Sequence, residues 1–489
     1  MKKVFKITLC MMLAFVMSAS PVFAASSAYT TTSDSGHSLK YVTIDMNDKN
    51  IEPVMMTAGS DLNSAESVAS MAQRYKAFAA INGTYFSAYD GNPVSWGTII
   101  KDGKILHISN GGAVAGITKD GKLIIDRLSF DFYGYINGVH RSIPWRINHP
   151  SPEADAITIF TEEYGIPVKM QAGAMAPIVD ASGEVVEIAT SDFTVPKGGF
   201  AIVYNPSVAH LAEERFDIGD DVYYEVKIKT TYTNPSDWED VVQGVGAGPS
   251  LIINGMVTAN GEEEGFFEDK INKNAAGRSF IGATADGKIL IGNIGAATLT
   301  DAAAICQNLG LVNAMCLDGG GSIALYYNGA KTSGRNVNNA LGFVDTSQAT
   351  GIGRMQKIQV DGVSKDLYAY NINGNNYFKL RDIAAILDGT DAQFEVGYDN
   401  ATKAVSMNVG RPYTEVGGEM ASAPNETLTV KKTPSKIYVN GRLLDATVYN
   451  IHGNNYFMLR EIGKAIDFGI TWDNSTKMIG IDSDASYKE

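Results

Sequence analysis

The chain has 489 residues, of which 45% are hydrophobic, and a formal net charge of −14 at neutral pH. This length predicts two or three domains, each with a core of its own. The acidity argues against a nucleic-acid partner, because such a partner requires a basic surface.

The first 24 residues have the pattern of a signal peptide. Lys2, Lys3 and Lys6 precede an apolar run at residues 7–17, and small residues lead to Ala24. No later apolar run is long enough to span a bilayer. We therefore predict a secreted bacterial protein, with cell-wall association as a further expectation.

Two of the three cysteines, Cys306 and Cys316, lie outside this segment. They either pair or remain as buried free thiols, and the second alternative is favoured. The chain has no C-x-x-C motif and its six histidines are scattered. We therefore predict no metal site and no cofactor.

After two strand-like runs, a helix is predicted with Asn63 and Glu66 as its capping box. The apolar run at residues 78–81 then predicts a buried strand that ends at Asn82 and Gly83. The alternative for Asn-Gly at this point is a plain turn.

The same order of helix and strand recurs later in the chain. Thr300 is the predicted cap of the second helix, and the apolar run at residues 311–317 ends at Asp318. We expect Asn82 and Asp318 at the same edge of the domain.

The predicted fold class rests on the turns that join adjacent strands. Asx-Gly pairs between apolar runs predict hairpins at 102–103, 120–121, 254–255 and 286–287. Hairpins require antiparallel pairing, so the prediction is an α+β fold with a mixed, mainly antiparallel sheet and flanking helices. Residues 130–240 read as an insertion or subdomain.

The motif with the strongest chemical signal is Asp318, Gly319, Gly320, Gly321 and Ser322, directly after a buried strand. Glycines allow close approach to a ligand, and successive backbone N–H groups can form an anion-binding concavity. One carboxylate beside such a loop suits cleavage of a phosphate-linked sugar. The alternative is a tight loop whose aspartate only caps its own backbone.

Arg278 and Arg335 flank this motif in the predicted topology. A guanidinium group binds phosphate with two parallel hydrogen bonds and keeps its charge. The alternative for each arginine is a surface ion pair. Asp90 and Asp301 are weaker candidates for a second acid.

The end of the chain contains an internal repeat. Residues 357–362 recur as 436–441, and residues 370–383 recur as 449–462. We predict a small α+β module at 356–484, made of repeats 356–410 and 435–484 with a linker at 411–434. The Asn-Asn-Tyr-Phe stretch of each repeat either forms a sugar-stacking surface or packs between strand and helix, and packing is favoured.

Residues 36–347 resemble the phosphodiester glycosidase family, which includes N-acetylglucosamine-1-phosphodiester α-N-acetylglucosaminidase, the mannose-6-phosphate uncovering enzyme. The matching stretches follow one another in family order, at residues 80–86, 96–100, 246–251, 277–287, 317–322 and 339–340. Ser279 stands where threonine is usual in the family, a change that keeps the hydroxyl.

The resemblance implies an exported hydrolase that releases free sugar and a phosphomonoester from a sugar-1-phosphodiester. Asp318 would act as base or nucleophile, and Arg278 is the second predicted catalytic residue. The predicted substrate-binding residues are Asn82, Gly83, Tyr85, Ser279, Gly319, Gly320, Gly321, Ser322, Arg335 and Asn339. The alternatives are a non-catalytic protein that binds envelope polysaccharide and a phosphodiesterase that cuts the other P–O bond.

The terminal module resembles the copper amine oxidase N-terminal-like domain of exported bacterial proteins. His452 is its only histidine and it contains no cysteine, so no copper-ligand set is expected. A non-catalytic stalk or wall-facing module is the resulting prediction.

Overall fold

A computed structural model describes residues 26–89, 91–109, 111–332, 334–433 and 435–488. The predicted signal peptide at 1–24 and the candidate acid Asp90 lie outside the described residues. The chain forms two compact units: the first comprises Met1–Lys49 and Pro53–Phe343, and the second comprises Asn50–Glu52 and Val344–Glu489.

The described residues are mostly β, and their strands pair chiefly antiparallel, as the hairpin signals predict. The predicted flanking helices are shorter and contribute less than an α+β fold suggests. The α-helices of the described chain are Val68–Tyr75, His210–Arg215, Asp269–Asn272, Leu299–Asn308, Leu380–Leu387 and Leu459–Ile466.

Strands of the first unit form four sheets. A seven-stranded sheet has the order Ser27–Asp34, His37–Asp45, Lys288–Ala297, Ala276–Thr284, Leu311–Cys316, Ser250–Ile253 and Met256–Val257. A second has the order Val222–Lys229, Leu123–Ile136, Gly112–Thr118, Val241–Gly246, Ile99–Lys101 and Lys104–His107, with Val139–Ser142 paired to Leu123–Ile136. A five-stranded sheet has the order Ala330–Lys331, Leu325–Tyr327, Ala77–Asn82, Asn339–Asp345 and Ile51–Thr57.

The fourth sheet occupies most of the range predicted as an insertion. Its strands are Arg146–Ile147, Ile157–Thr161, Phe200–Tyr204, Ala176–Val179 and Val185–Ala189. The first two of these strands pair in parallel and the others antiparallel.

All four predicted hairpins are confirmed. Asp102, Gly103, Asn254 and Gly255 all have positive φ, as a two-residue type I′ turn requires.

Both predicted helix caps were misplaced. The first helix is capped by Ser67, whose hydroxyl accepts from the Ser70 amide, while Glu66 instead forms an ion pair with Arg74. The second helix begins after Thr298, not at Thr300. Thr298 has an acid three residues ahead, Asp301, and the two side chains accept each other's backbone N–H in a capping box.

Helix Leu299–Asn308 buries one face against the seven-stranded sheet. Ala302, Ile305 and Cys306 pack in one cluster with Phe280 and Cys316 of the sheet. Cys306 and Cys316 are free and buried. This packing supports the strand that leads to Asp318.

In the second unit, the two Asn-Asn-Tyr-Phe stretches lie side by side as antiparallel strands. Phe378 and Phe457 are fully buried, and Tyr377 and Tyr456 nearly so. These stretches therefore form core and not a sugar-stacking surface. Strand Glu426–Lys432 lies inside the range predicted as a linker.

The sheets of the second unit have eight and four strands. The first has the order Val363–Ile372, Asn375–Lys379, Asn454–Met458, Val448–Ile451, Glu426–Lys432, Gln348–Val360, Met478–Asp482 and Gly469–Asp473. The second has the order Phe394–Asp399, Ala404–Val409, Ile437–Val439 and Arg442–Leu444. None of the helices in the described part of the chain combines the length and apolarity needed to cross a bilayer.

Candidate active site

A cleft of about 810 Å³ opens in the first unit where strand ends and connecting loops meet. It is large enough for a sugar with a substituent. Its lining includes Tyr85, Tyr89, Trp96, Glu264, Phe266, Glu268, Lys270, Arg278, Asp318, Gly319, Gly320, Gly321, Ser322 and Arg335.

Asp318 reaches the cleft because its strand, Leu311–Cys316, ends two residues earlier. Its backbone N–H donates to the Gly83 carbonyl at 3.1 Å. The Asn82 side-chain amide donates to the Asp318 carbonyl at 2.7 Å. The prediction that Asn82 and Asp318 lie at the same edge is confirmed.

Four predicted substrate-binding residues, however, are absent from the wall of the cleft: Asn82, Gly83, Ser279 and Asn339. Asn82 is fully buried, and its Oδ1 accepts from the Ser279 hydroxyl and the Ala324 amide. Asn339 accepts from the Thr84 amide through Oδ1, which lies where a Cβ at Gly83 would be. The polar side chains among these residues hydrogen-bond to other protein groups and thereby support the wall of the cleft without lining it.

The Asp318 side chain is partly buried, and the resulting desolvation raises its pKa from the usual 3.8 to about 6. Hydrogen bonding from Ser322 and the Gly319 amide and the charges of Arg335 and Lys270 oppose this rise. A carboxyl with a pKa near 6 is largely ionised at neutral pH, yet protonates more readily than an exposed aspartate. It suits a base or a nucleophile.

At each glycine after Asp318, a different structural feature disfavours a larger residue. A Cβ at Gly319 would lie 2.8 Å from the Gly277 carbonyl oxygen. Gly320 has φ +57°, which favours glycine, and a Cβ at Gly321 would lie 2.4 Å from Arg335 Nη2. The Ser322 amide donates to the Gly319 carbonyl at 3.1 Å and closes the turn.

Arg278 is 5% exposed and lines the cleft. Its guanidinium donates to the carbonyl oxygens of Ala297 and Asn274, both at 3.0 Å. It takes part in none of the ion pairs formed by the described residues, so the alternative of a surface ion pair does not apply. A buried cation held by neutral carbonyls retains the capacity to bind an anion.

Arg335 contributes a second guanidinium beside the glycine turn. Its backbone N–H donates to the Gly321 carbonyl, and its guanidinium carbon lies 4.9 Å from the centre of the Tyr89 ring. Its charge favours the ionised form of Asp318. Both arginines thus line the same cleft as Asp318.

Tyr85 lines the cleft as predicted, but its hydroxyl is already committed. It donates to the Gly248 carbonyl at 2.7 Å, and the ring centre lies 5.7 Å from that of Phe266. Burial raises the pKa of Tyr85 well above its ordinary value, and the charge of Arg278 opposes the rise. Tyr85 therefore presents its ring and not a free hydroxyl.

The sequence analysis missed the segment at residues 260–273, which supplies Glu264, Phe266, Glu268 and Lys270 to the cleft. Its 3₁₀ helix Glu262–Glu264 and short helix Asp269–Asn272 have weak periodicity. The local signal was a run of three glutamates between Gly261 and Gly265, followed directly by Phe266 and Phe267.

Glu264 anchors this segment through a fully buried carboxylate. Its Oε1 accepts from Arg127 Nε at 3.0 Å and from the Ser250 amide at 2.9 Å. Its Oε2 is buried without a hydrogen-bond partner. Burial raises the pKa of Glu264, while the contacts with Ser250 and Arg127 oppose the rise.

The other candidate acid within the described residues is not at the cleft. Asp301 caps its helix, lies 3.7 Å from His37, and has its pKa lowered by the hydrogen bonds with Thr298. Within the described chain, no group of three or more His, Cys, Asp or Glu side chains is placed to hold a metal ion.

Comparison with known proteins relates part of the first unit to one family. Residues 175–344 match the model of the phosphodiester glycosidase family. This range contains Arg278, Asp318, Arg335 and the segment at 260–273, but not Tyr85 or Trp96. A search of curated proteins found no match.

Two solved structures share the fold. A hypothetical protein from Synechocystis is 21% identical with a TM-score of 0.56, and the match covers 64% of this chain but only 61% of that one. A protein from Burkholderia pseudomallei K96243 is 18% identical with a TM-score of 0.54, covering 63% of this chain and 74% of that one. The catalytic domain of zebrafish N-acetylglucosamine-1-phosphodiester alpha-N-acetylglucosaminidase is 17% identical over 67% of this chain and 85% of that one, with a TM-score of 0.36, too low to establish a shared fold.

Proposed function

We propose that the first unit is a hydrolase that cleaves the glycosidic bond of a sugar-1-phosphodiester. The products would be free sugar and a phosphomonoester. The observation that carries this proposal is one cleft that contains a desolvated carboxyl with a pKa of about 6, Asp318, and a buried arginine that has no carboxylate partner among the described residues, Arg278. The family match over residues 175–344 supports the same chemistry.

In the proposed reaction the bond between C1 of the sugar and the phosphate oxygen breaks, and the bonding electrons leave with the phosphate. The oxygen that replaces it comes from water. Asp318 either takes the proton of that water as a base, or attacks C1 and forms an ester that water then hydrolyses. The phosphomonoester leaves as an anion, so its oxygen needs little help from a strong acid.

Arg278, Arg335 and the Gly319–Gly321 turn would hold the phosphate. Their positive charge stabilises the negative charge that grows on the leaving group, and the buried position of Arg278 keeps that stabilisation strong. Neither Glu264 nor Glu268 is needed as an acid in this scheme. Glu264 is occupied as an anchor, and Glu268 is exposed.

The test is incubation of the purified chain with α-linked sugar-1-phosphodiesters of N-acetylglucosamine, glucose, galactose and mannose in ¹⁸O-labelled water. We expect reducing sugar that carries the label at C1. Label in the phosphate instead would mean cleavage of the P–O bond and would identify a phosphodiesterase. Saturable binding without product would identify the alternative, a polysaccharide-binding protein.

We further propose that the protein acts outside the cell on envelope glycans and that the second unit is a non-catalytic module. The sequence pattern of residues 1–24 and the repeated residues of the second unit support this view. Fractionation of cells that produce the full chain, followed by the same experiment on a chain that lacks residues 2–24, tests the location.

A further inference from the structure

Trp96 is 51% exposed and, unlike Trp145, Trp238 and Trp472, lines the cleft. Trp238, in contrast, is 3% exposed and sits in the core. Large aromatic side chains gain most from burial, so an exposed indole in a cleft is available to a ligand.

The indole has little freedom to move. Its ring N–H donates to the Ser87 hydroxyl at 2.9 Å. The centre of its ring lies 4.9 Å from that of His149, at an interplanar angle of 64°. With its one polar group committed, the side chain offers a ligand an apolar aromatic surface.

The backbone of Trp96 is fixed on both sides. Its N–H donates to the Tyr85 carbonyl at 2.8 Å, and its carbonyl accepts from the Ser109 hydroxyl at 2.5 Å. The preceding and following carbonyls, of Ser95 and Gly97, each contact the Nδ1 of a buried histidine.

These histidines, His149 and His107, also contact each other at 3.3 Å. Burial lowers the pKa of His107 to about 3 and that of His149 to about 4. Both rings therefore stay neutral near pH 7, and their hydrogen bonds next to Trp96 do not change with protonation in this range. A rigid surface of this kind loses little entropy when a ligand binds.

We propose that Trp96 is the platform on which the sugar ring of the substrate stacks, and that it favours a pyranose with an apolar face. The inference rests on the proposed function, in which Arg278 and Arg335 bind the phosphate and Trp96, which lines the same cleft, is available to the sugar. Tyr85 and Phe266 add further aromatic surface to the same cleft. Trp96 thereby determines sugar specificity and takes no part in bond cleavage.

Intrinsic fluorescence tests the proposal without requiring turnover. The chain contains four tryptophans, and replacing Trp145 and Trp472 by phenylalanine leaves Trp96 and the buried Trp238. Adding Asp318→Asn prevents hydrolysis during titration with the four phosphodiesters named above. We expect a saturable change in emission with at least one sugar, which is absent when Trp96→Phe is added.

Binding and kinetics then assign the role. In Trp96→Ala, the Kd for the phosphodiester should rise by about 10-fold or more, and Trp96→Phe should recover part of the affinity. Inhibition by inorganic phosphate should not change, since phosphate does not occupy the platform. Trp145→Ala is the matched control, because Trp145 is 43% exposed but does not line the cleft.

The outcomes separate this inference from the proposed function. Turnover with equal Kd values in Trp96→Ala and Trp145→Ala would overturn the platform and leave the hydrolase intact. Sugar binding reported by Trp96 without turnover in the unaltered chain would support the platform and overturn the hydrolase. Neither binding nor turnover with any of the four sugars would overturn both.

Discussion

The side-chain amide of Asn82 donates to the backbone carbonyl of Asp318 at 2.7 Å and thereby joins the ends of two strands that belong to different sheets. The Oδ1 atom of the same side chain accepts hydrogen bonds from the Ser279 hydroxyl and the Ala324 amide. The position of the candidate catalytic residue thus depends on a buried asparagine that does not line the cleft.

Asn82→Ala should lower both stability and activity. The substitution removes the hydrogen-bond partner of the Ser279 hydroxyl and the Ala324 amide, both buried, and of the partly buried Asp318 carbonyl, and each buried group left unpaired costs about 1–3 kcal/mol. Chemical denaturation should show a lower midpoint, and sugar release should fall because Asp318 is no longer held. Asn425→Ala, at an exposed position, is the control, and an equal effect of the two substitutions would contradict the positioning role.

The pKa of Asp318 predicts how activity and stability depend on pH. Sugar release should rise with pH as the carboxyl ionises near pH 6, because a base or nucleophile must be charged. Asp318→Asn should abolish release while the fold persists. A pH profile of kcat/KM without an acidic limb near 6, or full activity in this variant, would contradict the assignment.

The contribution of Asp318 to folding stability should fall as the pH rises, in the opposite direction to activity. The folded pKa of about 6 exceeds the ordinary 3.8, so the folded state binds a proton more tightly than the unfolded state. This contribution is fully present below pH 3.8 and disappears as the pH rises through 6. Asp318→Asn should therefore have a higher Tm than the unaltered protein at pH 8, and the difference should shrink towards pH 4.

Arg278→Met should weaken binding of inorganic phosphate by roughly 10- to 100-fold, since charged hydrogen bonds contribute about 1.5–3 kcal/mol each. Arg278→Lys should recover only part of this affinity, because it lacks the planar fork. Arg354→Met in the second unit is the control. Calorimetric titration checks the result, and unchanged phosphate affinity in Arg278→Met would remove this residue from the anion site.

Two glycines in the turn should respond differently to alanine. Gly321→Ala places a Cβ against the Arg335 guanidinium and should weaken phosphate binding. Gly320→Ala meets nothing within 4 Å but has φ +57°, so it should cost about 1 kcal/mol of stability with less effect on binding. The opposite pattern in denaturation and titration experiments would contradict the assigned roles.

The sequence predicted those features that depend on short-range patterns. The four hairpins follow from Asx-Gly turns. The proximity of Asn82 and Asp318 follows from the order helix then strand, which occurs twice in the chain. Thr298 also has the sequence signal of a helix cap, because Asp301 follows it at the spacing of a capping box, whereas the predicted cap is Thr300. Local spacing alone did not decide between the two threonines.

Other features depend on long-range contacts that no local pattern encodes. Ser279 and Asn339 look like ligand-binding residues because they are polar beside the motif, yet their partners are other buried residues. The segment at 260–273 joins the cleft through Glu264 and Arg127, which lie 137 positions apart. The support of Trp96 by His107 and His149 likewise joins separate parts of the chain.

The two thiols behind the Asp318 strand provide a chemical reporter of its integrity. Burial raises the pKa of Cys316 to about 12 and that of Cys306 well above its ordinary value, so both stay protonated. Alkylating reagents attack thiolates, and these sulfur atoms become reactive only when helix Leu299–Asn308 or its strand detaches. The rate of labelling by iodoacetamide therefore measures local opening next to the Asp318 strand, without any introduced cysteine.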